Sequence, residues 1–231
     1  MHILLVGHGN MAAAVKSACI ARNINCIHDP TGKVEYDFPL HPIIAIHFGS
    51  GRQLLELVDL CEKIGIPLIQ GSTKLTEPVP SNRNVAIINA LNLSIPMIRF
   101  TASFPTFAKA IAVGMKKRIV ESHQRKKPDK SGTARAVAKT LDIPESDIKS
   151  VRDPDIQLAL GVPEEHLDGH AFHDFIFTGQ GVEIRVSTKI LGRKTYAEGA
   201  LTLAQALADL PEPMESGIYE LRDILHLLPT T

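Results

Sequence analysis

The residue types best suited to chemistry lie together in one segment, residues 121–134. His123 can gain or lose a proton near neutral pH, and Lys127, four residues later, is a cation and a potential proton donor. Ser131-Gly132-Thr133 precedes a predicted helix, whose first N–H groups and hydroxyls would form an anion cradle. This set suits a small anionic substrate that is protonated during reduction. A solvated basic loop followed by an ordinary serine cap fits the same residues.

A second candidate site is the glycine-containing turn near the N-terminus. Residues 2–6 are a short apolar run typical of a buried parallel strand, and an Ala-rich helix is predicted over 11–22. Between them Gly7 would make the tight turn, Gly9 would let the backbone approach a pyrophosphate, and Ala12 would permit close helix packing. An ordinary strand-to-helix turn is the alternative. The residues of this turn predicted to contact a dinucleotide are Gly7, Gly9, Asn10 and Met11.

An acidic residue ends the predicted second strand. Asp29 follows the strand expected over 23–27, near the spacing of about 20 residues at which a ribose-binding acid follows the glycines. Its carboxylate would accept hydrogen bonds from both ribose hydroxyls of NADH and would repel a 2′-phosphate, an effect that the nearby Lys33 would soften. NADH is therefore favoured, and NADPH stays open. Asp29 also fits a plain turn residue before Pro30.

The remaining pattern predicts the sheet that positions these residues. Strands are expected over 43–48, 67–70 and 85–88, with a helix over 51–64. Strands that alternate with helices imply a parallel sheet with right-handed crossovers, in which loops at the carboxyl ends of strands form the ligand crevice. Two such loops are candidates for the nicotinamide side, and the residues assigned to the cofactor in them are Gly71, Ser72, Thr73, Ala90, Asn92 and Leu93.

The pattern changes after residue 95. The elements expected there are a helix over 105–115, a strand over 118–121, a helix over 134–141, paired strands over 172–177 and 182–188 around Gly179-Gln180-Gly181, and a helix over 196–210. The predicted fold class is therefore α/β. A Rossmann-type parallel sheet would be formed by residues 1–94 and 205–231, with an inserted α+β domain at 95–204.

Composition restricts the function classes. The 231 residues carry 25 Lys+Arg and 25 Asp+Glu, and this neutral balance argues against a bulk nucleic-acid binder. The N-terminal apolar run is too short for a signal peptide, and no stretch approaches the roughly 20 apolar residues of a membrane span. Cys19, Cys26 and Cys61 form no Cys-x-x-Cys motif, which favours buried thiols in a reducing cytoplasm.

Three histidines raise the question of a metal site. His166, His170 and His173 are spaced so that a helix would place them on one face, where zinc is conceivable. Gly169 and the alternation over 172–177 favour a loop and a strand instead, and no cysteine or acidic pair completes a ligand set. No metal site is predicted. Serine hydrolase chemistry lacks support because no Gly-x-Ser-x-Gly motif is present.

Segment 121–134 resembles the signature of the dihydrodipicolinate reductase family, roughly E-x-H-H-x-x-K-x-D-x-P-S-G-T-A. The positions that match are Glu121, His123, Lys127, Asp129, Ser131, Gly132, Thr133 and Ala134. Other family motifs recur in order along the chain, so the resemblance spans nearly all of it. The segments that carry them are Gly7-x-Gly9-x-Met11, 71–73, 90–94, 193–200 and 217–227.

The chain departs from the family pattern at several positions. Gln124 stands where the family has a second histidine that contacts a substrate carboxylate. Glutamine can donate a hydrogen bond but carries no charge, which predicts weaker binding or a shifted substrate preference. The proline before Ser131 is absent, the loop is one residue shorter, Ala12 replaces a glycine, and residues 74–84 are too short and proline-rich for the usual helix.

The resemblance implies NAD(P)H-dependent reduction of 4-hydroxy-tetrahydrodipicolinate to tetrahydrodipicolinate in diaminopimelate and lysine biosynthesis. Hydride would pass to C4 of the ring substrate, with His123 as the acid or polarising group and Lys127 as the proton donor. The inserted domain would bind this small dicarboxylate and form a homotetramer through its sheet. The substrate-binding residues implied are Gln124, Ser131, Gly132, Thr133 and Arg193, with Lys127 shared.

Two other functions stay open. A different small anionic imine or keto acid would suit the change at Gln124. A non-catalytic NADH-sensing module would need a DNA-binding or partner-docking extension, and the neutral charge and the missing helix-turn-helix segment argue against one. The His123 and Lys127 pair also favours turnover. Neither nucleic acid nor membrane is an expected partner.

Overall fold

The computed structural model describes residues 1–29, 43–49, 51, 53–73, 75 and 78–229. Lys33, which the sequence places near the ribose, lies outside the described residues. The described α-helices and strands are, in chain order, β1 (His2–Val6), α1 (Asn10–Ala21), β2 (Asn25–Asp29), β3 (Ile43–His47), α2 (Leu54–Ile64), β4 (Leu68–Gln70), β5 (Ala86–Asn89), α3 (Ile95–Ile111), β6 (Lys116–His123), α4 (Gly132–Thr140), β7 (Lys149–Val151), α5 (Pro154–Ala159), β8 (His170–Gly179), β9 (Val182–Leu191), α6 (Lys194–Ala208) and β10 (Gly217–Glu220).

The chain divides into two compact units. The first comprises Met1–Ile98 and Lys194–Thr231, and the second comprises Arg99–Arg193. The predicted domain boundaries, at 94/95 and 204/205, therefore differ from the observed ones at 98/99 and 193/194. The second differs by a whole helix because α6 buries Ala200, Leu203 and further residues in the core that α1 also enters. Periodicity identifies such a helix but not the sheet on which it packs.

The first unit contains one sheet of six parallel strands in the order β10-β5-β4-β3-β1-β2. This confirms the predicted Rossmann-type sheet. Residues Ile3 to Val6 of β1 are fully buried, as expected for a central parallel strand covered on both faces. Ile3 and Leu5 enter one core with α1 and α6, whereas Leu4 and Val6 enter a second core with α2.

Strand order also locates the ligand crevice of the first unit. The chain runs from β1 to β2 on one side and then returns to β3 on the other side of β1. This reversal is the topological switch point at which doubly wound sheets bind ligands, beyond the carboxyl ends of the strands. The turn after β1 and the residues after β3 occupy that position.

The second unit is built on a mixed sheet with the order β7-β6-β8-β9. Phe104 and Ala108 of α3 and Val137 of α4 pack with Phe175 and Phe177 of β8 in its core. The predicted hairpin is confirmed: β8 and β9 are antiparallel, and their two-residue turn, Gln180-Gly181, has φ values of 52° and 78°. Positive φ at both positions is the geometry that suits a tight hairpin with twisted strands.

Helix α3 begins ten residues before the predicted start. The prediction treated Pro105 as the first residue of a helix, a position where proline is favoured, but α3 runs from Ile95 and contains Pro105. Buried Met97, Ile98, Phe104 and Ala108 lie along it, and their packing outweighs the interruption at the proline. Among the described residues, no helix combines the length and apolar character that a membrane crossing requires.

Candidate active site

The turn after β1 depends on a glycine at position 7. Gly7 has a φ of +132°, and a Cβ there would lie 2.7 Å from the carbonyl carbon of Phe48. Its N–H donates to the Asp29 carbonyl at 3.1 Å, and its own carbonyl lies 2.7 Å from His28 Nε2. Larger residues are excluded by both the backbone conformation and the approach of Phe48. The turn therefore has one defined shape.

The N-terminus of α1 fits a pyrophosphate. Gly9 is its N-cap and makes no side-chain cap hydrogen bond, and a Cβ at Gly9 would meet open space. The first turn, which includes Asn10 and Met11, contains no acidic residue. The N–H groups of a first helical turn have no partner within the helix, and the helix dipole favours an anion there. Ala12 is buried and packs the helix on the sheet.

The carboxyl ends of the strands bring the other predicted cofactor residues to the same edge. Asp29 ends β2 opposite Val6 in the register and is 5% exposed. The N–H of Gly71 donates to the carbonyl of His47 at 3.0 Å, and the N–H of Ala90 donates to that of Gln70 at 2.8 Å. The loops after β3, β4 and β5 therefore leave the sheet at the same edge.

The loops differ in what they present at this edge. Ser72 is buried, with its hydroxyl 3.5 Å from His47 Nδ1, whereas Thr73 is exposed. Ala90 and Leu93 have buried side chains, so only their backbone can meet a cofactor. Asn92 uses its Oδ1 to accept from the N–H of Ser94 at 2.9 Å, which shapes the loop after β5.

Phe48 is a residue of this edge that the sequence did not single out. Its backbone lies against Gly7, and its ring lies where a Cβ at Gly71 would fall, 2.3 Å from Cε1. Both glycines therefore leave space for one phenylalanine, which positions the phosphate turn against the loop after β4. The signal was available in principle, because Phe48 is the last residue of a predicted strand, and such strand ends lie at the same sheet edge as Gly71.

The substrate-side residues belong to the second unit. His123 ends β6, and Glu121 lies two residues earlier on the same face of the strand. His123 Nδ1 is hydrogen-bonded to Glu121 Oε2. Arg152 binds the same carboxylate with two nitrogens, Nη2 at 2.6 Å from Oε1 and Nη1 at 3.2 Å from Oε2. The Glu121 side chain is 0% exposed, so the carboxylate is buried between these two partners.

Glu121 is ionised in this setting. Burial by itself would raise the pKa of its carboxyl, but the hydrogen bonds from His123, Arg152 and Ser150 outweigh burial and bring the pKa to about 2. An ionised carboxylate can only accept, so the Nδ1 atom of His123 must carry the proton that joins them. The paired charges also explain how a carboxylate is tolerated in a buried position.

The N-terminus of α4 is an open anion cradle. Ser131 is its N-cap, and its Oγ accepts from the N–H of Ala134 at 3.0 Å. Gly132 is exposed and Thr133 is half-buried, so their N–H groups lie in the first turn without a helical partner. The Ser131 hydroxyl is also bonded to His173 Nε2 at 2.8 Å. Its side chain is therefore committed to the fold, whereas the two N–H groups suit a carboxylate.

His173 is a buried neutral histidine that supports this cradle. Burial, together with the nearby charge of His123, lowers its pKa to about 3. Its Nδ1 lies 3.0 Å from Thr188 Oγ1, and its ring centroid lies 5.2 Å from that of His123. A neutral imidazole donates through one nitrogen and accepts through the other, so contacts with the Ser131 and Thr188 hydroxyls give both ring nitrogens of His173 a partner.

The free energy of unfolding is expected to fall at acid pH because of His173. The unfolded histidine takes up a proton below about pH 6.5, whereas the folded one resists to about pH 3. The contribution of His173 to the free energy of unfolding is therefore complete above about pH 6.5 and is lost as the pH falls toward about 3. The loss at pH 5 is about 2 kcal/mol. Asparagine at His173 should remove this part of the pH dependence, measured by urea unfolding at pH 7.5 and pH 5. The exposed His226 changed to asparagine is the control, and an unaltered pH dependence in His173→Asn would contradict the assignment.

The segment between β6 and α4 carries the remaining predicted residues. Gln124 and Lys127 are half-buried, and the Lys127 N–H donates to the Gln124 carbonyl at 3.0 Å. Arg193 lies beside Gly169, with Nη1 3.7 Å from where a Cβ at Gly169 would be. His123 pairs with Ala171 in the sheet, so Gly169 and Arg193 lie beyond the same end of the sheet as His123.

The three spaced histidines are not brought to one point. His166 ends a short 3-10 helix, whereas His170 and His173 lie in β8, three residues apart and therefore on opposite faces. This confirms the predicted loop and strand. His170 Nε2 lies 2.8 Å from the Ser122 hydroxyl, and burial lowers the pKa of His170. Within the described part of the chain, no group of His, Cys, Asp or Glu residues is arranged to hold a metal ion.

Sequence reasoning missed two polar residues of the second unit. Arg152 follows β7, which pairs in parallel with β6 and ends beside it, and Gln157 lies in α5. Gln157 Nε2 donates to the carbonyl of His123 at 2.7 Å. The sequence held one signal, because Asp153-Pro154 is a cap followed by proline and marks a helix start directly after Arg152.

The chain joins a doubly wound sheet with an open phosphate turn to a mixed-sheet unit with a histidine site and an anion cradle. These features define the class of two-domain pyridine-nucleotide-dependent oxidoreductases.

Comparison with known proteins identifies the family within this class. The family model described as "Dihydrodipicolinate reductase, C-terminus" matches residues 98–225, more than half of the chain. The chain is 33% identical to "Probable 4-hydroxy-tetrahydrodipicolinate reductase 1, chloroplastic" of Oryza sativa subsp. japonica, over 94% of this chain and 76% of the relative. This chain belongs to the dihydrodipicolinate reductase family, which confirms the resemblance seen in its motifs.

Other relatives agree. The 4-hydroxy-tetrahydrodipicolinate reductase 1, chloroplastic, of Arabidopsis thaliana is 30% identical over 86% of this chain, which spans 63% of that relative. A bacterial 4-hydroxy-tetrahydrodipicolinate reductase, from Cupriavidus necator, is 26% identical over 79% of this chain and 73% of the relative. The fold matches a dipicolinate-bound dihydrodipicolinate reductase from Paenisporosarcina sp. TG-14, with a TM-score of 0.61 at 18% identity, over 97% of this chain and 99% of that one.

Proposed function

We propose that this chain reduces 4-hydroxy-tetrahydrodipicolinate to tetrahydrodipicolinate with NAD(P)H, as a step of diaminopimelate and lysine biosynthesis. The observation that carries the proposal is the arrangement in the second unit. A histidine held by a buried carboxylate and an uncapped helix start are supported by the same buried His173. An acid and a carboxylate cradle are what reduction of a dicarboxylate ring requires.

Each group has a proposed role in the reaction. The pyridine nucleotide, when bound at Gly7, Gly9 and the start of α1, supplies the hydride. Gly132 and Thr133 hold one substrate carboxylate through their N–H groups. The 4-hydroxyl group leaves as water, which gives a ring with a conjugated C=C–C=N system, and the hydride adds at C4 of that system. His123 polarises the substrate through Nε2, and the Lys127 ammonium donates the proton that balances the added hydride.

The second carboxylate is assigned to Lys127, Gln124 and Arg193. Gln124 and Lys127 are half-buried neighbours in one turn, and Arg193 lies beyond the same sheet end as His123. Only Gln124 favours a different small anionic imine or keto acid as an alternative substrate, because glutamine lacks the charge that a second histidine would provide at that position. Ser131 is proposed to serve substrate binding only through its neighbours Gly132 and Thr133, because its own hydroxyl is bonded to His173.

Histidine in place of Gln124 is expected to lower the KM for the native substrate roughly three- to ten-fold, since a charge-assisted hydrogen bond is about twice as strong as a neutral one. The kcat should change little, because this contact is made in the ground state as well as the transition state. Steady-state kinetics at pH 6 and pH 8 measure both constants. An unchanged KM at pH 6 would argue for a different substrate or a different carboxylate position.

The proposal predicts turnover in a coupled assay. Dihydrodipicolinate synthase supplies the unstable substrate, and loss of reduced nicotinamide absorbance reports reduction. Consumption that requires the synthase supports the function. Tight NADH binding without consumption would favour the sensing alternative.

The cofactor is proposed to be NADH in preference to NADPH. Support comes from Asp29, whose buried carboxylate lies at the carboxyl end of β2 beside the phosphate turn. A carboxylate there would repel a 2′-phosphate. A higher kcat/KM with NADPH in the same coupled assay would overturn this preference.

We also propose a homotetramer formed through the sheet of the second unit, and a reducing cytoplasmic location. Helices α3 and α4 pack on one face of that sheet, and Phe172 and Ile176 lie on the other, among alternating charged residues. Light scattering measures the oligomer. Cys19, Cys26 and Cys61 are free thiols, which suits a reducing compartment.

A further inference from the structure

We propose that Arg152 and Glu121 form a positioning pair that presents Nε2 of His123 to the substrate and holds the Lys127 segment beside it. Neither residue is given this role by the proposed reaction. The inference rests on the proposed function, because it concerns how the acid and the proton donor of that reaction are held.

The first support is the geometry around the His123 ring. Its Nδ1 is bonded to Glu121, and Nε2 makes no hydrogen bond with any residue that the structure describes. The side chain is 12% exposed, so only a small part of the ring faces outward. With Nδ1 occupied by a proton that points to the carboxylate, Nε2 is the atom that is left to exchange a proton or donate a hydrogen bond.

The second support is that Glu121 cannot hold this orientation alone. A carboxylate with no exposed surface and no cation beside it would be strongly disfavoured, and the Ser150 hydroxyl, its third hydrogen-bond partner, carries no charge. The guanidinium of Arg152 fills the other side with two hydrogen bonds to the two carboxylate oxygens. This bidentate fork fixes the plane of the carboxylate and therefore the direction from which it accepts Nδ1–H.

The third support is that the same guanidinium reaches the segment that carries the proton donor. Arg152 Nε donates to the carbonyl of Lys127 at 3.1 Å, and Nη2 donates to that of Asp129 at 3.2 Å. One side chain therefore joins both predicted proton-handling residues. Gln157 anchors the backbone from the other direction, since its Nε2 donates to the carbonyls of His123 and Val151.

The surrounding charges agree with this assignment. The titratable groups that face the His123 ring are Glu121 on its own strand, His173 and His170 on β8, and Arg152 after β7. The two β8 histidines favour the neutral form because burial lowers the pKa of each. Glu121 is then the anion in contact with the ring, and Arg152 is the cation that balances it when the ring is neutral.

The test compares Arg152→Met, Arg152→Lys and Glu121→Gln with Arg222→Met. Arg222 serves as the control because both partners of its ion pair with Asp223 are well exposed, at 74% and 66%, and it belongs to the unit that does not contain His123. Arg152→Met should lower kcat about 10- to 100-fold, the range typical of partners that orient a reacting group. The KM for NADH should stay within about three-fold, and Arg152→Lys should recover part of kcat by restoring the charge without the fork.

A spectroscopic signature separates positioning from a general loss of structure. The Nδ1–H proton of His123 should give a downfield imidazole resonance in the wild type, assigned by its absence in His123→Gln. Glu121→Gln should move that resonance upfield while the circular dichroism and NADH binding are retained. This measurement needs no turnover, so it tests the pair even if the coupled assay shows that the proposed reaction is wrong.

Two results would overturn the proposal. The first is a folded Arg152→Met protein with the kcat of Arg222→Met. The second is an imidazole resonance that is unchanged in Glu121→Gln. If Arg152→Met fails to fold, Arg152→Lys and Glu121→Gln still decide, because wild-type kcat in both would exclude a positioning role.

Discussion

Removing either side chain that is proposed to handle protons, by His123→Ala or Lys127→Met, is expected to lower kcat at least about 100-fold. His123 ends β6 with Nδ1 bound to a buried carboxylate, and Lys127 follows in a segment that Arg152 holds. General acid catalysis by a positioned group contributes rate only while that group and its proton are present. Both changes should leave NADH affinity near that of the wild type, because the predicted cofactor residues belong to the other unit.

Matched variants make this expectation specific. His226→Ala removes an exposed histidine, and Lys126→Met removes an exposed cation from the same segment as Lys127. Both controls should keep kcat within about three-fold of the wild type, since both side chains are exposed and neither has a proposed role in the reaction. Measurements with saturating NADH separate kcat from KM. Wild-type turnover in His123→Ala would exclude its proposed role, and equal losses in Lys126→Met and Lys127→Met would reduce Lys127 to one of several interchangeable charges.

Alanine at Gly199 is expected to lower the free energy of unfolding by more than about 3 kcal/mol. Gly199 lies in α6, and a Cβ there would fall 1.7 Å from the carbonyl oxygen of Leu93. That atom belongs to backbone, so no side-chain rotation relieves the overlap. The Ser94 and Thr195 hydroxyls, 3.1 Å apart, join the same two segments, so the helix cannot move away without breaking this contact.

Urea unfolding measures the effect of Gly199→Ala. Gly132→Ala is the stability control, because it also changes a helical glycine but its Cβ would meet open space. The control should be neutral or slightly stabilising, since alanine favours helix. If Gly199→Ala unfolds at the same urea concentration as Gly132→Ala, the close approach of α6 to the loop after β5 does not exist in solution.

The elements that could be predicted well are those whose signals are local. The buried strand, the Gly7 turn and α1 follow one another within 21 residues, and the order itself identifies the unit. The serine cap of α4 is predictable because the Ser131 hydroxyl and the Ala134 N–H group that donates to it are three residues apart. The hairpin at Gln180-Gly181 follows from alternation on both sides of a turn.

The partners of the candidate site could not be predicted in this way. Arg152 is 31 residues from Glu121, and His173 is 42 residues from Ser131. The first pair meets because β7 lies beside β6, and the second because α4 packs against β8, arrangements that no periodicity within a single element encodes. The strand β10, which forms one edge of the first sheet, and the unit to which α6 belongs depend on the same long-range arrangement.

The sequence by itself determined the α/β class, the phosphate turn and the segment with His123 and Lys127, because backbone preferences, capping and family motifs act over short stretches of chain. Tertiary structure decided what those residues do. It committed the Ser131 hydroxyl to His173, left the N–H groups of Gly132 and Thr133 open, and placed Arg152 against Glu121. The physical reason is that a buried polar group must find a partner, and which partner it finds depends on strand order and register.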